Sequence, residues 1–315
     1  MSEEVSFTNL DQELFDGAGA TKGDLVAYLD AVSDRILPAL RDRPLSVIRV
    51  HRGQEAFMQK NLPKYTPSWV PRVRFWAESS KRDVSYAMCN DRRTLLWFAN
   101  QRAVEYHPTL ASADHPERPT HLVLDLDPPD AGAFPMAVRA ARLVRQALAE
   151  VGLQGAVKTS GAKGVHVFVP LAGETSSHDA AAATRAIAAR AAGLDPGIAT
   201  TAFVKDERGG KVFVDSTRVG GATVVSAYSP RVRPGAPVSF PVDWDDLDDV
   251  RPGDFTLHTA PALLGDGDPW ALLMPAPQRL SAELIDEGHA IPVARVQAMH
   301  EGKRRARGAR EGPDL

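Results

Sequence analysis

Residues Thr120–Asp130 read THLVLDLDPPD. Alternating β-formers end in two carboxylates, and Pro128 and Pro129 then stop the strand because they cannot donate to a ladder. Side chains alternate along a strand, so Val123, Asp125 and Asp127 share one face while Leu122, Leu124 and Leu126 take the other. Two acids on one small patch repel each other. Near neutral pH they stay together when a divalent cation sits between them or when one carboxylate keeps its proton. The stretch predicts a Mg²⁺ or Mn²⁺ site; a strand end with two solvated acids is the alternative that the spacing alone leaves open.

Around this stretch, 315 residues with 43% hydrophobic content can build a core in one large domain or two small ones. The single cysteine, Cys89, excludes an internal disulfide framework and a multi-cysteine zinc site, and reads as a small buried apolar residue in a reducing compartment. The N-terminus MSEEVSFTNL has neither a basic start nor an apolar core, and no run approaches about 18 apolar residues, so a cytoplasmic protein with no membrane contact is expected. The formal charge of −3 conceals an asymmetry. Between Arg35 and Arg102, fourteen Lys and Arg stand against five acids, about +9, leaving about −12 elsewhere. That basic stretch fits a phosphate-backbone surface or a solvated Arg-rich face, and charge alone does not separate the two.

In chain order, Thr21 and Asp24 have N-capping spacing, and Leu25, Tyr28, Leu29, Val32, Ile36 and Leu40 predict a helix from about Lys22 to Arg41, with Pro38 kinking or closing its end. Leu45–Arg52, Trp69–Trp76 and Asp83–Asn90 read as strands, whereas Gln54–Asn61 is too short to assign. Asp91 predicts a cap for a helix through about Arg102, and VEYHP follows as a short strand or turn. After the acidic strand, Phe134–Val151 is a strongly amphipathic helix. QGAVKTS and VHVFVPL read as strands around the turn SGAKG, and His178–Ala192 as an Ala-rich helix. GGKVFVDS ends a strand at Asp215, and TVVSAY reads as another. Pro230–Pro241 predicts a looped path, with short helices at Trp244–Val250 and Pro269–Leu273. From about Pro275 one or two helices lead to the basic tail KRRARGAR, expected to fray or to touch a nucleic-acid backbone.

Three pieces carry chemistry. Asp125 and Asp127 form the first and Asp215 a third strand-end acid, which suits two-metal phosphoryl or nucleotidyl transfer because that reaction takes about three carboxylates. The turn Ser160–His166, SGAKGVH, adds two glycines, a hydroxyl, the Lys163 charge and His166, features of a phosphate-binding loop as well as of a plain hairpin turn; its spacing is not that of a Walker A loop. His107, Arg231 and Arg233 are candidates for a nucleotide's sugar or phosphates.

LVLDLDPP, KTSGAKGVHVFVPL, GGKVFVD, AYSPRVR followed by PVSFPVDWDDL, and the opening TNLDQELF with TKGD occur in order between about Thr8 and Leu273. Together they resemble the polymerase domain of bacterial ligase D, a branch of the archaeo-eukaryotic primase superfamily. The resemblance implies an α+β fold with antiparallel or mixed sheets flanked by helices. Residues 1–274 would form the primase-polymerase domain, with a basic N-terminal lobe to about 105 and a catalytic core over 106–274, and 275–315 a helical extension with a basic tail. It implies that Asp125, Asp127 and Asp215 bind two Mn²⁺ or Mg²⁺ ions, and that Ser160, Lys163, His166, His107, Arg231, Arg233 and Arg49 meet a nucleoside triphosphate. The implied activity is template-dependent addition of nucleotides, preferentially ribonucleotides, at gaps and breaks in DNA during end joining.

The family also anchors a downstream 5′-phosphate through an Asn and two Lys. Asn9 and Lys22 match, but Gln12 stands where the other lysine is expected, so a charge is missing. Ile48 likewise replaces a lysine of a basic run in which Arg49 remains, and Phe57, beside Met58, falls where an aromatic stacks on the template; a core aromatic is its other reading. No segment resembles a ligase's ExxKxDG, so a free-standing polymerase is expected, with a ligase and an end-binding protein on other chains. The competing classes are a haloacid-dehalogenase-type phosphohydrolase, which also uses Asp-x-Asp, and a non-catalytic binder of DNA ends.

Overall fold

The computed structural model describes residues 5–77, 81–173, 175–219 and 222–293. Among these residues the strands form two sheets, and helices pack on them in an α+β arrangement. The first sheet contains β1 (Leu45–Arg49), β2 (Phe57–Gln59), β3 (Arg72–Ala77), β4 (Arg82–Ala87) and β5 (Ala103–Pro108). All its pairings are antiparallel: β5 borders one edge of β1, while β2 and the end of β4 share the other. The second sheet has the order β11-β7-β8-β6-β10-β9, from β11 (Pro241–Val242), β7 (Ala156–Thr159), β8 (Val165–Pro170), β6 (His121–Asp127), β10 (Val212–Asp215) and β9 (Ala199–Thr200). Only β9 and β10 pair in parallel.

The acidic stretch is the central strand β6, with β8 and β10 antiparallel on either side. Leu122, Leu124 and Leu126 are fully buried, and helices α4 (Phe134–Glu150) and α5 (Ser177–Leu194) pack on this sheet. Burying each of these leucines contributes roughly 1.5–3 kcal/mol. With the leucine face so covered, alternation turns Asp125 and Asp127 to the other side, towards the first sheet.

Several expectations are corrected. The first helix is two, α1 (Lys22–Ala31) and α2 (Ser33–Leu40), and the break falls at Val32 (φ −100°, ψ 8°) rather than at Pro38, which lies inside α2. Thr21 and Asp24 do form the capping box, with Thr21 N–H donating to Asp24 at 2.7 Å and Asp24 N–H to Thr21 Oγ1 at 3.1 Å. Asp91 caps α3 (Arg92–Asn100) through Thr94 N–H at 2.7 Å. Thr223–Tyr228 is not a strand: Thr223 makes only an isolated bridge with Thr109, and the segment ends in a turn with Tyr228 at φ +64°. Only Val224 and Ser226 donate to β5 carbonyls, while Tyr228 turns to Ser239 O, so no continuous ladder forms. Trp244–Val250 makes turns instead of a helix, because Asp243 Oδ1 and the Asp243 carbonyl take the amides of Asp245 and Asp246. The 3-residue strand β2 occupies the segment too short to assign. Short helices α6 (Ala260–Leu263) and α7 (Pro269–Leu273) precede α8 (Ala282–Ala290), which packs along α5; the tail KRRARGAR lies outside the described residues. Cys89 is buried, and burial pushes its thiol up. No helix among the described residues is long and apolar enough to cross a membrane.

Candidate active site

Four strands of the second sheet line up one residue each in a transverse row. Lys158 of β7 lies opposite His166 of β8, His166 opposite Asp125 of β6, and Asp125 opposite Asp215 of β10. Cross-strand partners point to the same face, so register alone gathers residues that are up to 90 positions apart in sequence. Asp127 lies two residues beyond Asp125 and therefore shares that face.

The row is tied by hydrogen bonds. His166 Nε2 is 3.2 Å from Asp125 Oδ1, and Lys158 Nζ is 2.9 Å from His166 Nδ1 and 2.5 Å from Ser239 Oγ. A carboxylate only accepts, so the imidazole proton sits on Nε2 and the bare Nδ1 accepts from Lys158. Burial, reinforced by the Lys158 charge, pulls His166 down to about 4, which keeps the ring neutral at physiological pH. Burial likewise pushes Lys158 well below its ordinary range.

Arg218 closes the acidic end. Its Nη2 is 2.8 Å from Asp125 Oδ2 and 3.1 Å from Asp215 Oδ2, so one nitrogen touches both carboxylates. Burial alone would raise Asp125, but its contacts with His166 and Arg218 outweigh this and hold it well below the usual carboxylate range. Asp127 goes the other way: burial and the Asp125 charge raise it, with Lys163 and Arg218 opposing. Asp215 Oδ1 is engaged by Thr217 N–H (2.8 Å) and Oγ1 (2.6 Å). Three hard oxygen donors on one face, with a guanidinium already supplying positive charge between two of them, fit divalent cations of the Mg²⁺ and Mn²⁺ kind. The triad is more open than a closed ligand set, since the only three His, Cys, Asp or Glu side chains among the described residues with donor atoms within 4.8 Å of one another lie elsewhere.

A cleft of about 570 Å³ is lined by Asp125, Asp127, Ser160, Lys163, His166, Arg218, Arg231 and Arg233. A second, of about 360 Å³, shares Asp125, His166, Arg218 and Arg231 with it and adds His107 together with Met58 and Lys60. The structure thus brings together the three acids, the turn residues, His107, Arg231 and Arg233. Ser160 Oγ accepts from Ala162 N–H at 3.2 Å and Gly164 N–H at 3.0 Å, holding the turn closed, and Lys163 Nζ donates to Pro128 O at 2.6 Å. The glycines have steric reasons. Gly161 has φ +67° and a Cβ there would lie 2.7 Å from Ser239 N, while at Gly164 it would lie 2.2 Å from Leu126 O.

Arg49 does not reach this cleft. Its guanidinium donates to Gln101 O, Gln59 Oε1 and the Tyr65 hydroxyl, on the face of β1 and β2 opposite Met58. Phe57 shares that face. It is 39% exposed and stacked on His51 at 5.3 Å, so it is not a core aromatic. Asn9 and Gln12 of the N-terminal loop are drawn to Lys22, the first residue of α1, by Gln12 N–H to Asn9 O and Lys22 N–H to Gln12 O. Lys22 Nζ donates to Thr8 O at 2.5 Å, and burial followed by the Arg102 charge lowers its pKa.

Four residues at these sites escaped the sequence reading. Lys158 and Arg218 stood within or just after quoted motifs. Glu105 had a signal, since it lies two residues before His107 and so on the same strand face; it is buried and holds His107 Nε2 at 2.8 Å, Arg231 Nε at 3.0 Å and Val232 N–H at 2.8 Å. Arg102, at the end of α3, donates to Gln12 Oε1 at 3.2 Å and places a cation beside the position where a lysine was missing.

Comparison with known proteins gives the family. The profile of the family described as LigD, primase-polymerase domain, matches residues 21–270. The bifunctional non-homologous end joining protein LigD of Bacillus subtilis is 34% identical over 260 residues, 81% of this chain and 41% of that protein. LigD of Pseudomonas aeruginosa is 33% identical over 273 residues, 84% of this chain and 32% of that protein. The chain therefore spans well under half the length of these curated relatives. The polymerase domain of Mycobacterium tuberculosis ligase D, solved in complex with DNA, superposes with a TM-score of 0.78 at 31% identity, covering 86% of this chain and 98% of that one. The chain belongs to the LigD primase-polymerase domain family.

Proposed function

We propose that this chain is a template-dependent nucleotidyltransferase that adds nucleotides, preferentially ribonucleotides, to a primer 3′-hydroxyl at gaps and ends of broken DNA. The observation that carries the reading is the row Lys158–His166–Asp125–Asp215, whose His166 and Asp125, with Asp127 beside them, line a cleft that also holds Lys163, Arg231 and Arg233. Two Mg²⁺ or Mn²⁺ ions held by Asp125, Asp127 and Asp215 would lower the primer hydroxyl's pKa and neutralise charge on the triphosphate as pyrophosphate leaves.

The chain's own residues bind and orient. Lys163, Arg231 and Arg233 offset the triphosphate's charge, and the Ser160 hydroxyl, which accepts two amides, still has its proton to donate. Neutral His166 fixes one oxygen of Asp125 so that the carboxylate keeps its orientation. Glu105 does the same for His107 and Arg231. DNA meets the basic first sheet, where Phe57 stacks on the template, and its 5′-phosphate meets Asn9, Lys22 and Arg102, the last offsetting the loss of charge at Gln12. The names of the end-joining relatives and the DNA-bound polymerase domain support this assignment.

A phosphohydrolase of the Asp-x-Asp type fits poorly, because it uses a doubly wound parallel sheet, whereas β6 has antiparallel neighbours on both sides. The test is primer extension on short gaps, with and without a 5′-phosphate, comparing ribo- and deoxyribonucleotides with Mn²⁺ and Mg²⁺. Asp125→Ala, Asp127→Ala and Asp215→Ala should abolish addition while leaving DNA binding measurable. Retained extension in any of them would overturn the assignment, and binding without extension by the unaltered chain would mark a non-catalytic end binder.

A further inference from the structure

The set of three donors that does lie within 4.8 Å is His178, Asp179 and His289. The first two stand in the opening turn of α5, the third in the closing turn of α8. Asp179 Oδ1 is 2.9 Å from His289 Nε2 and 3.8 Å from His178 Nδ1, and the two imidazole centroids are 4.4 Å apart. We propose that these residues form a second metal site, for a Zn²⁺-type ion, which clasps α8 to α5.

The donors are oriented by their surroundings. Ser176 caps α5 by accepting from Asp179 N–H at 3.1 Å and donates its own proton to Asp179 Oδ2 at 2.8 Å, so Oδ1 is the oxygen left for an ion. The two helices are locked together just beside the site. A Cβ on Gly288 would lie 1.8 Å from Ala182 O, Arg190 grips Glu287 at 2.9 and 2.6 Å, and Arg185 donates to Gly288 O at 3.1 Å. An ion therefore meets donors brought close before it arrives.

Ligand chemistry selects the ion. Two imidazoles and a carboxylate suit Zn²⁺, Co²⁺ or Ni²⁺, whereas Mg²⁺ takes oxygen donors, and three protein ligands leave a fourth position for water. The helix dipoles oppose each other here. The N-terminus of α5 disfavours a cation and the C-terminus of α8 favours one, so neither decides the outcome. This site is also remote from the acid row. Strand β8 runs from His166, opposite Asp125, to Pro170, opposite His121 at the far end of β6, and α5 starts only after that.

The experiment is calorimetric titration of the untagged full chain with Zn²⁺, alongside thermal melting with and without the ion. Asp125→Ala should keep one tight Zn²⁺ equivalent, whereas His178→Ala and His289→Ala should each weaken it by at least about tenfold. Zn²⁺ should raise the melting temperature of the unaltered chain and not that of His289→Ala. The imidazoles are 81% and 31% exposed, so the metal-free melting temperature of the variants should stay near that of the parent, which separates lost binding from lost folding. Equal Zn²⁺ affinity in the histidine variants, or no saturable binding at micromolar Zn²⁺, would overturn the proposal. Neither readout depends on polymerase activity.

Discussion

Replacing Glu105 with glutamine removes one negative charge from a place where three groups converge on it. The carboxylate is 2% exposed and meets His107 Nε2 (2.8 Å), Arg231 Nε (3.0 Å) and Val232 N–H (2.8 Å). Burial pushes this carboxyl up, but the His107 hydrogen bond and the Arg231 charge prevail and bring it from 4.5 to about 2. At about 1.36 kcal/mol per pH unit, that displacement corresponds to roughly 3 kcal/mol of stability. Because the folded value lies below the unfolded one, the contribution is complete above about pH 4.5 and is lost as pH falls towards 2. A second route gives a similar size, since breaking a buried ion pair costs roughly 3–5 kcal/mol and glutamine retains one acceptor. Glu105→Gln should therefore be about 3 kcal/mol less stable in urea at pH 7. The gap should narrow by roughly 1 kcal/mol at pH 4, where the parent is losing what the variant already lacks. A gap below about 1 kcal/mol at pH 7, or one that widens on acidification, would refute the reasoning. With Arg231 and His107 loosened, KM for the triphosphate should rise more than kcat falls.

At Gly164 a methyl group would meet the Leu126 carbonyl at 2.2 Å, so Gly164→Ala should lower stability by about 3 kcal/mol or more; a melting temperature within a degree of the parent's would show that the turn relaxes freely. Phe57→Ala should weaken binding to gapped DNA by about 1–3 kcal/mol with little change in melting, because the ring is already 39% exposed; unchanged affinity in a fluorescence titration would remove it from the template path. His121 and His166 are buried and pulled from 6.5 to about 4, the first by burial and the Arg43 charge. Unfolding therefore takes up protons below about pH 6.5, and stability should decline from there to about pH 4 by up to about 3 kcal/mol per histidine. Replacing His121 with glutamine should flatten that decline, and an unchanged slope in urea would count against a buried neutral ring.

What could be read from the sequence, and what could not, follows from the range of the interactions. The period of two in LVLDLD placed Asp125 and Asp127 on one face, and the capping spacing at Thr21 and Asp91 reflects contacts within four residues. Longer-range consequences were hidden. Whether Asp215 stands beside Asp125 depends on the register of β10 against β6, and period-two logic specifies a face without naming the neighbour across the gap. The same limit concealed Lys158, an apparently ordinary strand lysine until β7 and β8 pair it with His166, and Glu105, which has three partners only once the Pro230–Pro241 loop lies against β5. TVVSAY misled for a related reason: its β-branched residues have strand propensity, but its amides serve two different neighbours, and propensity yields to what is available to bond. Arg218 is the most telling case, since its role is set by charge rather than pattern. Three carboxylates on one face repel one another, and that repulsion is relieved by a retained proton, as the raised Asp127 indicates, or by a cation; the sheet supplies the acids by register, and the chain just beyond β10 returns a guanidinium that lies between Asp125 and Asp215.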